Sequence, residues 1–262
     1  MQFASANDGT KIAYRKHGSG SRVVVLVHGW TMSGQVYDRL LEHIDRSGLT
    51  LLVVDLRGSG ESDKPEASEA HSLAHYAGDV LAVVDAEKVQ SFVVVGHSMG
   101  GQIAQWLAAH HPDRVAGAVL LCPVPACGMA LPSEAVALFS GSGGNREATK
   151  TILGMACKDL PEGAMDWLVE IAMRTSPAAV KHGFAAWTGG GFSDALAKVR
   201  APVLCVGTDD PFLPPAFLKA EVIAKIAGSR FAYLPGPGHY VQVERARETA
   251  AVLEAFLAAL RP

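Results

Sequence analysis

The chain has 262 residues, of which 49% are hydrophobic and 19% are charged, and its formal net charge is -3. This length and balance suit a globular α/β protein with a sizeable buried core. The slight acidity and the lack of a basic cluster argue against nucleic acids or anionic membranes as partners. No apolar run is long enough to span a bilayer, and the first residues lack the basic and apolar regions of a signal peptide.

The cysteines are typical of a reducing compartment. Their even number would permit disulfides, but they are scattered through a long chain and lack metal-ligand spacing. No pair of the ten histidines forms the H-E-x-x-H pattern of zinc enzymes. We therefore expect a cytoplasmic protein with reduced thiols and no metal site. The cysteines are Cys122, Cys127, Cys157 and Cys205.

Short apolar runs alternate with helical segments along most of the chain. Residues 2–17 predict a hairpin with a tight turn at Asp8-Gly9. The later apolar runs are Arg22–Val27, Leu51–Val54, Phe92–Val95, Val115–Leu121, Pro202–Val206 and Arg230–Leu234. The helical segments between and after them are about Gly34–Arg46, Leu73–Glu87, Gln102–His110, Pro215–Ile226 and Arg245–Leu260. This alternation predicts a mostly parallel sheet with helices on both faces.

The alternation stops in the middle of the chain. From Pro123 to about Val199 no strand-like run occurs, and short helical patches are separated by two glycine clusters. A structureless loop of that length is uncommon in a compact protein. We predict a core of residues 1–122 and 200–262 with a helical cap at 123–199. The patches are Glu134–Phe139, Glu147–Cys157, Ala164–Thr175 and Pro177–Trp187.

A G-x-S-x-G pattern at residues 96–100 joins a predicted strand to a predicted helix. A serine at such a tight turn is held in a strained backbone conformation, and the glycines let the two elements pass closely. The turn places the Ser98 hydroxyl at a helix N-terminus, where free N–H groups favour a developing negative charge. Ser98 is therefore a candidate nucleophile.

A serine nucleophile needs a base and an acid that orients the base. His239 follows the last predicted strand, so it lies at the same sheet edge as Ser98. Asp209 and Asp210 follow the preceding strand, and we favour Asp210 because it stands directly before Pro211 in a turning loop. The sequence thus predicts a catalytic set of Ser98, His239 and Asp210.

Two backbone N–H groups are candidates for stabilising an oxyanion. One belongs to Met99, next to the nucleophile, and the other to Trp30, in the loop after the first parallel strand. His28 precedes Trp30 in that loop, and we expect its imidazole to brace the loop by hydrogen bonding rather than to titrate in catalysis.

The G-H-S-M-G turn, the His28-Gly29 loop and the order Ser98, Asp210, His239 resemble the α/β-hydrolase fold superfamily, from about residue 10 to residue 260. The resemblance implies an eight-stranded, mostly parallel sheet with helices on both faces and a helical cap after the sixth strand. Relatives that hydrolyse haloalkanes or epoxides use an aspartate where Ser98 stands. Perhydrolases of the cofactor-free haloperoxidase type usually have proline after the tryptophan, whereas Thr31 follows Trp30 here.

These features predict a serine hydrolase that cleaves ester or lactone bonds of small to medium hydrophobic substrates, without a cofactor, as a monomer or homodimer. Two alternatives stay open. The same groups serve C–C bond hydrolases, cofactor-free dioxygenases or perhydrolases, and a ligand receptor can retain them without turnover. The candidate substrate-binding residues are Trp30, Phe139, Trp167, Trp187 and Cys122, although core packing is the simpler explanation for the cap aromatics and Cys122.

Overall fold

One twisted sheet organises the protein, whose computed structural model describes residues 1–260. Its strands are β1 (Gln2–Ser5), β2 (Lys11–Gly18), β3 (Arg22–Val27), β4 (Leu49–Val54), β5 (Phe92–His97), β6 (Val115–Leu121), β7 (Val203–Gly207) and β8 (Arg230–Tyr233). Their order across the sheet is β1-β2-β4-β3-β5-β6-β7-β8. The two pairings made by β2 are antiparallel, and the other pairings are parallel. The predicted α/β-hydrolase fold is therefore confirmed.

The central strands are buried on both sides. Along β3, Val25 and Val27 belong to one core, whereas Val24 and Leu26 point to the opposite face and belong to a second core. All four side chains are fully buried. A strand covered by helices on both faces needs this unbroken run of branched apolar residues, because successive side chains alternate between the faces.

Ten α-helices and four 3-10 segments cover the sheet and its edges in the described part of the chain. The helices are α1 (Asp38–Leu41), α2 (Leu73–Ala86), α3 (Met99–His110), α4 (Ser133–Ser140), α5 (Arg146–Ala156), α6 (Ala164–Ala172), α7 (Pro177–Gly189), α8 (Pro215–Glu221), α9 (Val241–Glu244) and α10 (Ala246–Ala259). The 3-10 segments are Gly34–Tyr37, Ser68–Ala70, Ser193–Lys198 and Ile223–Lys225.

The helix predicted at residues 34–46 is much shorter than expected. It consists of a 3-10 turn followed by α1, and it ends at Leu41. Beyond that point, Asp45 accepts the Ser47 N–H in a local turn, and Arg46 donates to the Leu41 carbonyl. Such side-chain bonds to nearby backbone compete with the helical ladder. The helix predicted at 215–226 likewise gives way to a 3-10 turn after Glu221.

Helices α4 to α7 occupy the stretch between β6 and β7. Their starts have clear chemical causes. The Asn145 side chain caps α5, and the Ser176 side chain caps α7, whose first residue is a proline. Both arrangements satisfy N–H groups that a helix start leaves free. This helical insertion follows the sixth strand, as the resemblance implies.

Neither a membrane-spanning helix nor a disulfide occurs in the part of the chain that the structure describes. None of its helices is both long enough and apolar enough to cross a bilayer. All four cysteines have free thiols.

A buried ion pair fixes the turn that follows β4. The Arg57 guanidinium is almost fully buried and donates through Nε and Nη2 to Asp79 of α2, the latter bond at 2.7 Å. Its Nη1 donates to Asp8, whose side chain is 36% exposed. The turn after β4 is thereby tied both to a helix and to the N-terminal hairpin.

We expect the substitution Asp79→Asn to lower the free energy of unfolding by about 3–5 kcal/mol, since it leaves the buried Arg57 charge without its main partner. Asp8→Asn removes a partly exposed partner of Arg57, whose place water can take. We expect it to lower the free energy of unfolding by less than about half as much. Urea unfolding of both variants measures the difference. Equal losses in the two variants would contradict this account of the pair.

Candidate active site

Ser98 lies at the sharp turn between β5 and α3. Its backbone has φ 56° and ψ −120°, a region that residues with a side chain rarely adopt. A Cβ on Gly96 would lie 2.1 Å from the Gly100 oxygen, and a Cβ on Gly100 would lie 2.1 Å from the Val27 oxygen. Only glycine fits at both positions, because the helix start passes directly against two strand ends.

His239 and Asp210 meet at the same edge of the sheet. His239 Nδ1 lies 2.6 Å from Asp210 Oδ2, and both side chains are buried. The other carboxylate oxygen of Asp210 accepts the Phe212 N–H at 2.8 Å. Asp209 points elsewhere and accepts hydrogen bonds from Tyr233 and Gly236. The structure thus places Asp210, and not Asp209, against the histidine.

Ser98 and His239 line one cavity. In the part of the chain that the structure describes, the Ser98 hydroxyl makes no hydrogen bond to the His239 imidazole. Because Nδ1 of His239 is engaged by Asp210, Nε2 is the ring nitrogen left for the serine. Bonds of this kind are often long without substrate and shorten when it binds.

The loop after β3 lies against the nucleophile. A Cβ on Gly29 would come within 2.9 Å of Ser98 Cβ, so only glycine allows this approach. No acceptor within residues 1–260 takes the backbone N–H of Trp30 or of Met99. Two N–H donors beside Ser98 are therefore available to an oxyanion.

His28 braces this loop. Its Nε2 accepts the Leu56 N–H at 3.0 Å, so Nδ1 carries the proton and donates to the Gly29 carbonyl at 2.7 Å. Burial lowers the pKa of His28 and keeps the imidazole neutral. The neutral imidazole therefore links the loop after β3 to the end of β4 through two hydrogen bonds.

The cavity in front of Ser98 is mainly apolar and spans about 620 Å³ of space, open solvent at its mouth included. Trp30 and Phe139 stack with their ring centres 5.5 Å apart, and Trp187 packs edge-on against Trp30. The lining residues are Trp30, Thr31, Ser98, Val124, Met129, Phe139, Ser142, Thr149, Ile152, Leu153, Ala156, Trp187, Phe212, Leu213, His239 and Tyr240.

Two of the predicted substrate-binding residues lie outside this lining. Trp167 is on α6, where its ring packs under the guanidinium of Arg39 on α1. Cys122 is fully buried, with its sulfur 3.4 Å from the Thr208 hydroxyl. Trp167 is outside the lining because α6 packs against the core rather than the cavity. Cys122 directly follows β6, and its thiol points into the protein interior. These positions correct the expectation for both residues.

Cys122 also lies close to Asp210 and His239, and one ligand atom from each lies within 4.8 Å of the others. Such a group has the right elements for a metal site. Burial, however, raises the pKa of the Cys122 thiol well above its usual value. Metals bind the thiolate, so a thiol that stays protonated fits a packing role better.

Several site residues were not predicted from the sequence. Phe212 and Tyr240 enter the cavity because they follow Asp210 and His239 on the same loops. Their position beside the predicted catalytic residues was a usable signal. His97 was also missed. Its Nε2–H donates to the His239 carbonyl at 2.9 Å, and no local sequence pattern predicts a contact between residues so far apart in the chain.

Comparisons with known proteins support the fold. The sequence profile of the alpha/beta hydrolase fold matches residues 22–144. A non-heme haloperoxidase from Rhodococcus erythropolis is 30% identical over 98% of this chain and 99% of its own. A bifunctional esterase/perhydrolase from Acinetobacter calcoaceticus is 27% identical over 98% of this chain and 99% of its own.

Among solved structures, Est816, described as an N-acyl homoserine lactone degrading enzyme, is 30% identical with a TM-score of 0.82. The likeness covers 97% of this chain and 100% of that one. The matching profile, together with relatives 30% identical along almost the whole of both chains, shows that this chain is a hydrolase belonging to the α/β-hydrolase fold superfamily.

Proposed function

We propose that the protein is a serine hydrolase that cleaves carboxylic ester or lactone bonds of small to medium hydrophobic substrates through an acyl-enzyme on Ser98. The observation that carries the proposal is the shared cavity: Ser98 at its strained turn and His239, held by Asp210, both line one apolar pocket. Relatives described as an esterase/perhydrolase and as a lactone-degrading enzyme support the bond type.

The first half of the reaction is acylation. His239 Nε2 takes the Ser98 proton while Oγ attacks the substrate carbonyl, and Asp210 keeps the imidazole in the required tautomer and stabilises its cation. The carbonyl oxygen becomes an oxyanion that accepts N–H bonds from Met99 and Trp30. Each such donor contributes about 3–4 kcal/mol of transition-state stabilisation.

The remaining steps complete the acylation and then release the acid. The tetrahedral intermediate collapses, and the imidazolium gives its proton to the departing alcohol oxygen. Water then attacks the acyl-enzyme with His239 again acting as base, and the carboxylic acid leaves. In a lactone the departing oxygen remains attached to the acyl group, so the product is a hydroxy acid. These steps require no metal or organic cofactor.

The cavity supports a hydrophobic small-molecule substrate. Its walls are aromatic and aliphatic, with few polar groups away from Ser98 and His239, so an apolar group gains free energy there by leaving water. Residues 123–199, which carry α4 to α7, act as the cap over this pocket and set its size. All proposed reacting groups come from one chain, which suits either a monomer or a homodimer.

Hydrolysis of p-nitrophenyl esters from acetate to decanoate tests the proposal. We expect turnover by the wild type, and a loss of kcat of at least about 10⁴-fold in Ser98→Ala, because the nucleophile is removed. Asp210→Asn is expected to lose about 10⁴-fold, because the amide stabilises the wrong imidazole tautomer. Circular dichroism checks that each variant is folded.

The matched control is Asp209→Asn, which changes a neighbouring acid that does not touch the imidazole. Its kcat should stay within about threefold of the wild type, as for a surface substitution. Folded wild type that hydrolyses no ester of any chain length would overturn the esterase proposal. It would favour C–C bond cleavage, oxygen chemistry or a receptor role instead.

A second experiment tests whether the cavity selects the acyl group. Phe139→Ala removes a ring that lines the pocket, so the preferred ester should become longer by about two carbons, with kcat/KM for long chains rising about tenfold. Trp167→Ala truncates a cap aromatic outside the pocket. Its chain-length profile should keep the wild-type shape, and a shift equal to that of Phe139→Ala would contradict the assignment of the pocket walls.

Peracid formation is a second candidate function, since one relative is a haloperoxidase and another is an esterase/perhydrolase. In that reaction hydrogen peroxide replaces water in attacking the acyl-enzyme, and a peracid leaves Ser98. Thr31, beside Trp30, has φ 62°. Proline is restricted to φ near −65°, so the proline usual in perhydrolases is incompatible with this loop conformation.

We therefore expect ester hydrolysis to exceed peracid formation by at least about tenfold when peroxide and water compete for one acyl donor. Bromination of monochlorodimedone in bromide and peroxide measures the peracid, with Ser98→Ala as the blank. Peracid formation faster than hydrolysis would make perhydrolysis the main activity.

A further inference from the structure

A buried carboxylate lies beneath the loop that carries His239. Glu244, the last residue of α9, is only 5% exposed. It accepts the backbone N–H of Gly238 at 2.9 Å and that of Tyr240 at 3.1 Å. These are the residues on either side of His239, so the carboxylate holds the loop on both flanks of the imidazole.

The same carboxylate also holds the cap. Glu244 Oε2 accepts the backbone N–H groups of Lys158 at 2.9 Å and Asp159 at 2.8 Å, in the connection between α5 and α6. A carboxylate has about four lone-pair sites. Oε2 accepts three of the four N–H groups and Oε1 accepts that of Tyr240, so both carboxylate oxygens are engaged.

The backbone of His239 is fixed from two further directions. Its N–H donates to the Ala156 carbonyl at the end of α5 at 2.9 Å, and its carbonyl accepts the Nε2–H of His97. A Cβ on Gly238 would lie 2.3 Å from that same Ala156 oxygen, so only glycine permits the contact. The histidine loop is clamped between the cap and the serine turn.

Helix α5 has a second role that makes this link functional. Leu153 and Ala156 line the substrate cavity, and Ala156 is also the residue that bonds the His239 N–H. The wall of the pocket and the proposed base therefore share one anchor. A displacement of the end of α5 displaces the imidazole with it.

We propose that Glu244 is a positioning residue, which locks the His239 loop to the α5–α6 connection and so sets the imidazole relative to Ser98. The inference rests on the proposed function, because it assigns His239 as the base. Among the hydrogen bonds of residues 1–260, the Glu244 carboxylate reaches the cavity lining only at the Tyr240 N–H, so we expect it to act on the transition state through His239 rather than on substrate binding.

The experiment compares Glu244→Gln and Glu244→Asp with Val84→Ala. The glutamine amide has one accepting oxygen, and its NH₂ group opposes at least one backbone N–H, whichever way it turns. Glu244→Gln should lower kcat by at least about tenfold with KM within about threefold, as for misplaced catalytic groups. Glu244→Asp keeps the charge and should recover part of kcat.

Val84→Ala is the control for stability. Val84 is fully buried on α2, in the core on the opposite face of the sheet from α9. It should lower the melting temperature and leave kcat within about twofold. If the two variants have equally lowered melting temperatures and Val84→Ala loses as much kcat as Glu244→Gln, the inference is overturned. A wild-type kcat in Glu244→Gln would also overturn it.

Amide hydrogen exchange gives a readout that does not depend on activity. In Glu244→Gln, or in Glu244→Asp if the former does not fold, peptides covering 156–160 and 236–241 should both exchange faster than in the wild type. An unchanged exchange rate in either segment would contradict the proposal that Glu244 joins the His239 loop to the α5–α6 connection. If the wild type hydrolyses no ester, the proposed function fails, yet the exchange result still decides whether Glu244 joins the two segments.

Discussion

The close passage of α3 against the ends of β3 and β5 is the constraint on which the rest of the site depends. Gly96 and Gly100 have no space for a side chain, and the strain of the turn is concentrated at Ser98, with its φ of 56°. A strained backbone persists only where its surroundings fix it. Here the fully buried strands on either side do so, since any relaxation of the turn would require a central strand to move. The core of the sheet thus holds the serine in place.

The parallel sheet explains how residues far apart in sequence come together. Loops that follow parallel strands emerge at one edge, so β5, β7 and β8 deliver Ser98, Asp210 and His239 to the same place. The sheet alone fixes these loops only at their strand ends. Local bonds complete the placement: Asp210 accepts the Phe212 N–H, and the backbone of His239 bonds both His97 and the cap. The sheet brings the groups near, and the hydrogen bonds orient them.

The sequence was sufficient for the fold and for the meeting of His239 with Asp210, because both follow from strand order and from loops at strand ends. The sequence was insufficient where the direction of a side chain determines whether it lines the cavity. Trp167 and Trp187 are both cap tryptophans on predicted helices, yet only Trp187 reaches the cavity. Helix packing angles make that choice, and periodicity does not encode them. Glu244 was missed for a related reason: its four donors come from two loops that only the folded chain brings together.

Trp30 connects the proposed chemistry to the pocket. Its backbone N–H is a proposed oxyanion donor. Its indole Nε1–H donates to the Val180 carbonyl of α7 at 2.8 Å, and its ring stacks on Phe139 of α4. Helices α4, α5 and α7 therefore contact the proposed catalytic groups at two points, at Trp30 and at the His239 loop. Under the proposed mechanism, a ligand that shifts these helices acts on the proposed oxyanion donor and on the proposed base together. The proposed mechanism therefore couples substrate fit to catalytic geometry, because the same helix contacts position the pocket wall and the His239 loop.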